Sequence, residues 1–84
     1  MNLCYPANVR QYGRGTVGLF FPDVPEAVTA GKSLAEAIDR APDALVVALS
    51  VYVDEGRAIP SPSRAKRGHP MVCLPPLAAL KLAI

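Results

Sequence analysis

The chain has 84 residues, of which 51% are apolar and 19% charged. That length holds one domain or a piece of one, which excludes barrel enzymes and two-domain dinucleotide folds, and the apolar share excludes disorder along the whole chain. Nine Lys and Arg against seven Asp and Glu give a formal charge of +2, too mild to demand nucleic acid or an anionic membrane as partner.

The pattern begins with a strand over residues 5–11. Tyr5, Ala7 and Val9 lie on one face of a period-2 alternation, with Asn8 and Arg10 on the other. Gly13-Arg14-Gly15 then supplies hairpin chemistry; no helix start follows it, so it is a turn and not a phosphate cradle. A second strand runs over 16–21, where Gly18 marks a bulge or a close backbone approach. Pro22-Asp23-Val24-Pro25 ends it, because both prolines remove donors. A short third strand fits 27–29, and Gly31 turns the chain.

Ser33-Leu34-Ala35-Glu36 matches a capping box, with the serine oxygen on the amide of Glu36 and the glutamate reaching back to the amide of Ser33. Leu34, Ala37, Ile38, Ala41, Leu45, Ala48, Leu49 and Tyr52 recur at helical spacing. Pro42 deletes the bond to the carbonyl of Ile38, which allows one kinked helix or two helices. The apolar stripe keeps its phase across the proline and favours one. Gly56 is the expected stop. Residues 59–63 read as extended, 64–70 as a basic loop, and 71–74 as a short strand. Pro75-Pro76 opens a last helix-forming segment. The expected domains are therefore 1–74 and, over 75–84, the start of a C-terminal helix.

Signatures of chemistry are thin. The lone histidine, His69, sits in a proline-flanked loop and reads as solvated, not as a catalytic base. The seven acids avoid the strands, so a two-metal nuclease lacks its carboxylate cluster; no catalytic residue, metal or cofactor is expected. Cys4 and Cys73 are too few for a disulfide scaffold and read as two buried thiols, which neighbouring strands could bring together for oxidation. Arg64, Lys66 and Arg67 form a weak candidate for phosphate contact, without an aromatic stacking platform. No secretory leader is evident, and the apolar run 44–53 is far below the roughly 18 residues of a membrane span, so a cytoplasmic location without membrane association is expected.

Three motifs in order are more informative than composition. Gly18-Leu19-Phe20-Phe21-Pro22-Asp23-Val24-Pro25, then Thr29-Ala30-Gly31-Lys32-Ser33-Leu34-Ala35-Glu36-Ala37, then Ile59-Pro60-Ser61-Pro62-Ser63 together resemble the HicB family of antitoxins. The resemblance covers residues 5–63 and departs from the family pattern at Pro25-Glu26-Ala27, at Lys32 and at Pro42. It implies a partial RNase H fold of βββαβ order. The fold class is then α+β: a three- to four-stranded mixed or antiparallel sheet with one long helix on one face. The first and last strands would be neighbours, placing Cys4 near Cys73.

The same resemblance implies an antitoxin, not an enzyme. It would bind a small HicA-like mRNA interferase toxin and block it sterically. Pro22, Asp23, Pro25, Glu26 and Glu36 are the candidate toxin contacts, with the three acids forming one patch near the helix start that suits a basic toxin. Operator DNA would be bound only if a longer native chain carries a C-terminal domain. Exposed sheet edges predict a dimer or higher oligomer. The alternative is a stand-alone dimeric ligand-binding or interaction module of the same fold without a toxin.

Overall fold

A computed structural model describes residues 3–65 and 67–74. The first strand pattern becomes two elements, β1 (Cys4–Pro6) and β2 (Asn8–Gln11), followed by β3 (Val17–Phe20), β4 (Val28–Gly31), α1 (Leu34–Asp54) and β5 (Met71–Cys73). The expected α+β class is the one observed, and all strand pairs are antiparallel. β1 pairs β5 in a two-stranded sheet, and β2, β3 and β4 form a three-stranded one in that order. A single strand over 5–11 is thus corrected. The run changes partner at Ala7, whose amide donates to the carbonyl of Pro70 at 2.9 Å. Alternation reports which face a residue takes, and it continues unbroken through a change of partner.

Tyr12 N–H closes the hairpin onto Thr16 O at 2.9 Å, across a turn in which Gly13 and Gly15 take positive φ. Gly18 holds its register between Arg10 and Ala30, so it marks no bulge. It is a close approach: a Cβ there would lie 2.8 Å from the Tyr12 ring. Val17, Leu19 and Phe21 point to the helix side and are buried. β4 starts one residue later than the 27–29 pattern and ends two later, on Gly31, where an added Cβ would lie 2.8 Å from the backbone nitrogen of Ala37. The absent side chain lets the first turn of α1 sit directly on the sheet.

α1 is one helix that runs through Pro42. Ser33 Oγ accepts from Glu36 N–H at 3.1 Å, as the capping box requires. The return bond differs by one residue: Glu36 Oε1 accepts from the amide of Lys32, at 3.2 Å. At the other end Gly56 N–H bonds Val53 O and Arg57 N–H bonds Tyr52 O, the pair of bonds of a Schellman stop. Ala37, Ala41, Leu45, Ala48, Leu49 and Tyr52 face inward and meet Tyr5, Leu19, Phe21, Val24 and Val72 in a single core.

Cys4 and Cys73 form a disulfide across 69 positions of sequence, which corrects the reading as two buried thiols; Cys4 is half-buried and Cys73 exposed. The register pairs them directly. Leu74 N–H bonds Leu3 O in the adjacent pair, and Ala7 N–H bonds Pro70 O three positions beyond Cys4–Cys73, which sets the alternation of bonded and unbonded pairs along the ladder. Cys4 and Cys73 therefore occupy a non-hydrogen-bonded site, where opposed residues of an antiparallel ladder come closest. The proposed C-terminal helix start at 75–84 lies outside the described residues.

Candidate functional site

The stretch from Phe21 to Ala27 folds as two successive tight turns. Val24 N–H bonds Phe21 O at 3.0 Å, and Ala27 N–H bonds Val24 O at 2.9 Å. Each turn has proline in its second position, Pro22 in the first and Pro25 in the second. Proline's fixed φ pre-sets that position, so little chain entropy remains to be lost. Val24, between the turns, is fully buried and pins the unit to the core. Pro22, Pro25 and Glu26 are left exposed.

Two carboxylates fasten this unit to distant parts of the chain. Asp23 Oδ2 accepts from the backbone N–H of Ser63 at 2.8 Å, and Asp23 Oδ1 accepts from Ser63 Oγ at 2.5 Å. The first and third sequence motifs are thereby joined. Tyr5 supports the same segment, its buried ring carrying a hydroxyl that donates to Pro60 O at 2.8 Å. Burial, and then the negative charge of Asp23, raise the Tyr5 phenol above its ordinary value. Pro6, Asn8, Pro22, Asp23, Ser63 and His69 line a small cavity where these elements meet. His69 is half-buried there, not the solvated loop histidine expected.

Glu26 makes the second fastening. Its Oε1 accepts from Tyr52 Oη at 2.6 Å, and its Oε2 meets Arg57 Nη2 at 3.1 Å. Arg57 also reaches Glu55 at 2.9 Å and lays its guanidinium 3.8 Å from the centre of the Tyr52 ring. The Tyr52 hydrogen bond is the main cause that holds the Glu26 carboxyl below its ordinary range, followed by a backbone bond and, further down, Arg57. The same bond raises the Tyr52 phenol, and Glu55, then Glu26, raise Arg57.

The acidic patch expected near the helix start is not formed. Glu26 lies with the C-terminal end of α1, through Tyr52 and Arg57, and Asp23 is bound to Ser63 in the segment that follows the helix. Glu36 is in the first turn, bonded to the Lys32 amide and paired with Arg40 at 3.2 Å. Sixteen residues of helix, about 24 Å, separate Glu36 from Tyr52. All three acids are already engaged within the chain. Arg64 and Arg67 are exposed in the basic loop, and Lys66 lies outside the described residues.

Sequence reasoning missed the partners Tyr5, Tyr52, Arg57 and Ser63. Ser63 closes a motif, and Arg57 follows a helix stop; neither position states which acid it meets. A separate groove of about 410 Å³ lies between β4 and α1, lined by Val28, Val47 and Val51 with Glu26 and Asp43 beside them. Those three valines are exposed. Among the described residues, no group of three or more His, Cys, Asp or Glu could hold a metal ion, and no helix is long and apolar enough to cross a membrane.

The motif order joined by Asp23 and Ser63 is matched by a family model. Residues 4–83 fit the model described as the HicB-like antitoxin of bacterial toxin–antitoxin systems. The chain belongs to the HicB-like antitoxin family. It is 37% identical over 83 residues to Antitoxin HicB 2 of Photorhabdus laumondii, covering 99% of this chain and 58% of that one. It is 39% identical over 59 residues to Antitoxin HicB of Escherichia coli K12, covering 70% and 43%, and 41% identical over 71 residues to that of Pseudomonas fluorescens, covering 83% and 49%. This HicB-like chain thus spans about half the length of these relatives. Its fold is similar to that of the N-terminal domain of the Burkholderia pseudomallei antitoxin HicB, with a TM-score of 0.61 at 16% identity, covering 86% of this chain and 95% of that one. It is also similar to a chain of a HicA3 and HicB3 toxin–antitoxin complex, with a TM-score of 0.63 at 22% identity and the same coverage.

Proposed function

We propose that this HicB-like chain neutralises a small HicA-like ribonuclease toxin by binding it and covering its RNA site, in the cytoplasm and without chemistry of its own. The observation that carries this reading is the doubly pinned proline turn. Val24 holds it from below, Asp23 ties it to Ser63, and Glu26 ties it to Tyr52 and Arg57. A surface fixed before the encounter loses little conformational freedom on docking. Pro22, Pro25 and the outer edges of Asp23 and Glu26 are the contacts proposed on that surface. Glu36, at the far end of α1, belongs to a separate contact if it belongs to any. The partner class is supported by family membership and by the toxin–antitoxin complex of similar fold.

Self-association is part of the same reading. β2 and β4 are both edge strands, and the valine groove flanks β4. Operator binding is proposed only for a longer native chain with a further C-terminal domain, and residues 75–84 would begin it.

Co-expression with a HicA-like toxin from the same host tests the proposal. Growth should be restored, RNA cleavage by the purified toxin should stop, and a double Pro22→Ala, Pro25→Ala variant should restore growth less well at equal abundance. A chain that captures no such partner from its own host and leaves cleavage unchanged would instead be a stand-alone module of this fold.

A further inference from the structure

The disulfide sits where it can control the segment that holds the docking turn. The described residues of this segment, 57–65 and 67–70, contain no helix or strand, and the segment rejoins the fold through β5, which is three residues long and among the described residues pairs with β1 alone. This segment carries Pro60 and Ser63, the partners of Tyr5 and Asp23. Its N-terminal end is held by Arg57 on Glu26. Its C-terminal end is held by the short β1–β5 ladder and by the bond between Cys4 and Cys73. Cys73 is an exposed residue, so a small reagent can approach it, and Cys4 lies directly opposite as the resolving partner.

We propose that Cys4 and Cys73 are a thiol–disulfide exchange site for low-molecular-weight disulfides of the glutathione type, and that oxidation fixes the 57–70 segment against Asp23. In the forward direction the Cys73 thiolate attacks the small disulfide. That S–S bond breaks, a mixed disulfide forms at Cys73, and one small thiol leaves. The Cys4 thiolate then attacks the Cys73 sulfur, the mixed bond breaks, and the second small thiol leaves. Two protein thiols are oxidised, one small disulfide is reduced to two thiols, and the protons pass to the leaving thiolates. Excess reduced thiol runs the same steps backward. An exposed disulfide is the labile kind, so the exchange should lie within reach of a glutathione couple. The effect on toxin docking rests on the antitoxin reading; the exchange and the change in the segment do not.

The test uses the whole chain, equilibrated in buffers of graded reduced and oxidised glutathione, quenched by alkylation and read by intact mass. The expected result is one transition between a dithiol and an internal disulfide within that range. Cys4→Ser alone should accumulate a glutathione adduct at Cys73. Brief trypsin treatment should then cleave at Arg64 and Arg67 at least about five-fold faster in the reduced protein than in the oxidised. The Cys4→Ser, Cys73→Ser double variant should match the reduced protein in every buffer. If that variant does not fold, wild-type protein held in reductant, checked by circular dichroism, gives the same comparison. A pair that stays reduced in the most oxidising buffer, a disulfide that resists excess reductant under native conditions, or equal cleavage in both states would each overturn the proposal.

Discussion

Asp23 accepts two hydrogen bonds from one residue, the N–H and the hydroxyl of Ser63, and both come from a segment that forms no sheet. Removing the carboxylate leaves the Ser63 amide without its acceptor and frees the segment. Asp23→Ala should destabilise the fold by about 1.5–3 kcal/mol, the range for hydrogen bonds to a charged group. Asp23→Asn should cost less, because one oxygen remains. Urea unfolding of the three proteins decides this, and equal midpoints would show that the contact contributes nothing. The position was legible in the sequence as a motif residue; its partner, forty residues away, was not. Neither spacing nor periodicity links two loops forty residues apart in the chain.

Glu26 offers a second check at the same scale, through pH. Its folded-state pKa lies below the ordinary 4.5, chiefly because of the Tyr52 hydroxyl. A carboxyl lowered on folding contributes stability that is full above the unfolded value and is lost as pH falls through the folded one. Wild-type protein should therefore be more stable than Glu26→Gln by a constant margin near neutrality, and the margin should shrink below about pH 4.5. Thermal melts of both proteins across that range measure it. A margin that does not change on acidification would mean that the carboxylate charge is irrelevant to the contact.

At the scale of elements, α1 was the most legible part of the chain. Eight apolar positions at helical spacing outweigh the one residue that argues against a helix, since the buried face makes the larger contribution to stability. Pro42 still removes an amide bond to Ile38 from the helix interior. Replacing it by alanine restores that donor at a half-buried position. Pro42→Ala should raise stability by about 1–3 kcal/mol, less than the full difference in helix propensity because the unfolded chain also gains freedom. A lower denaturation midpoint in the variant would mean that the proline ring fits a kink on which the packing depends. The strands were less legible. Their existence followed from alternation, but the change of partner at Ala7 is a tertiary event that alternation does not encode.

At the scale of the molecule, the first and last described strands, β1 and β5, are brought together by a ladder of three residue pairs. Val72 and Leu74 add core contacts there, yet so short a ladder is weak by itself. The disulfide changes that balance through the unfolded state, because it closes a loop spanning 69 positions. In the chain-entropy model a loop of this size contributes about 4 kcal/mol. For a small domain this is a large share of the total stability. Reduction should therefore lower Tm by tens of degrees, at about 4–8 °C per kcal/mol for a domain of this size. The change should vanish in the Cys4→Ser, Cys73→Ser variant, whose melting should ignore reductant. A reduced protein that melts with the oxidised one would show that the loop ends are already held together when unfolded. In that event the β1–β5 pairing, and not the covalent bond, would set the stability of the last strand.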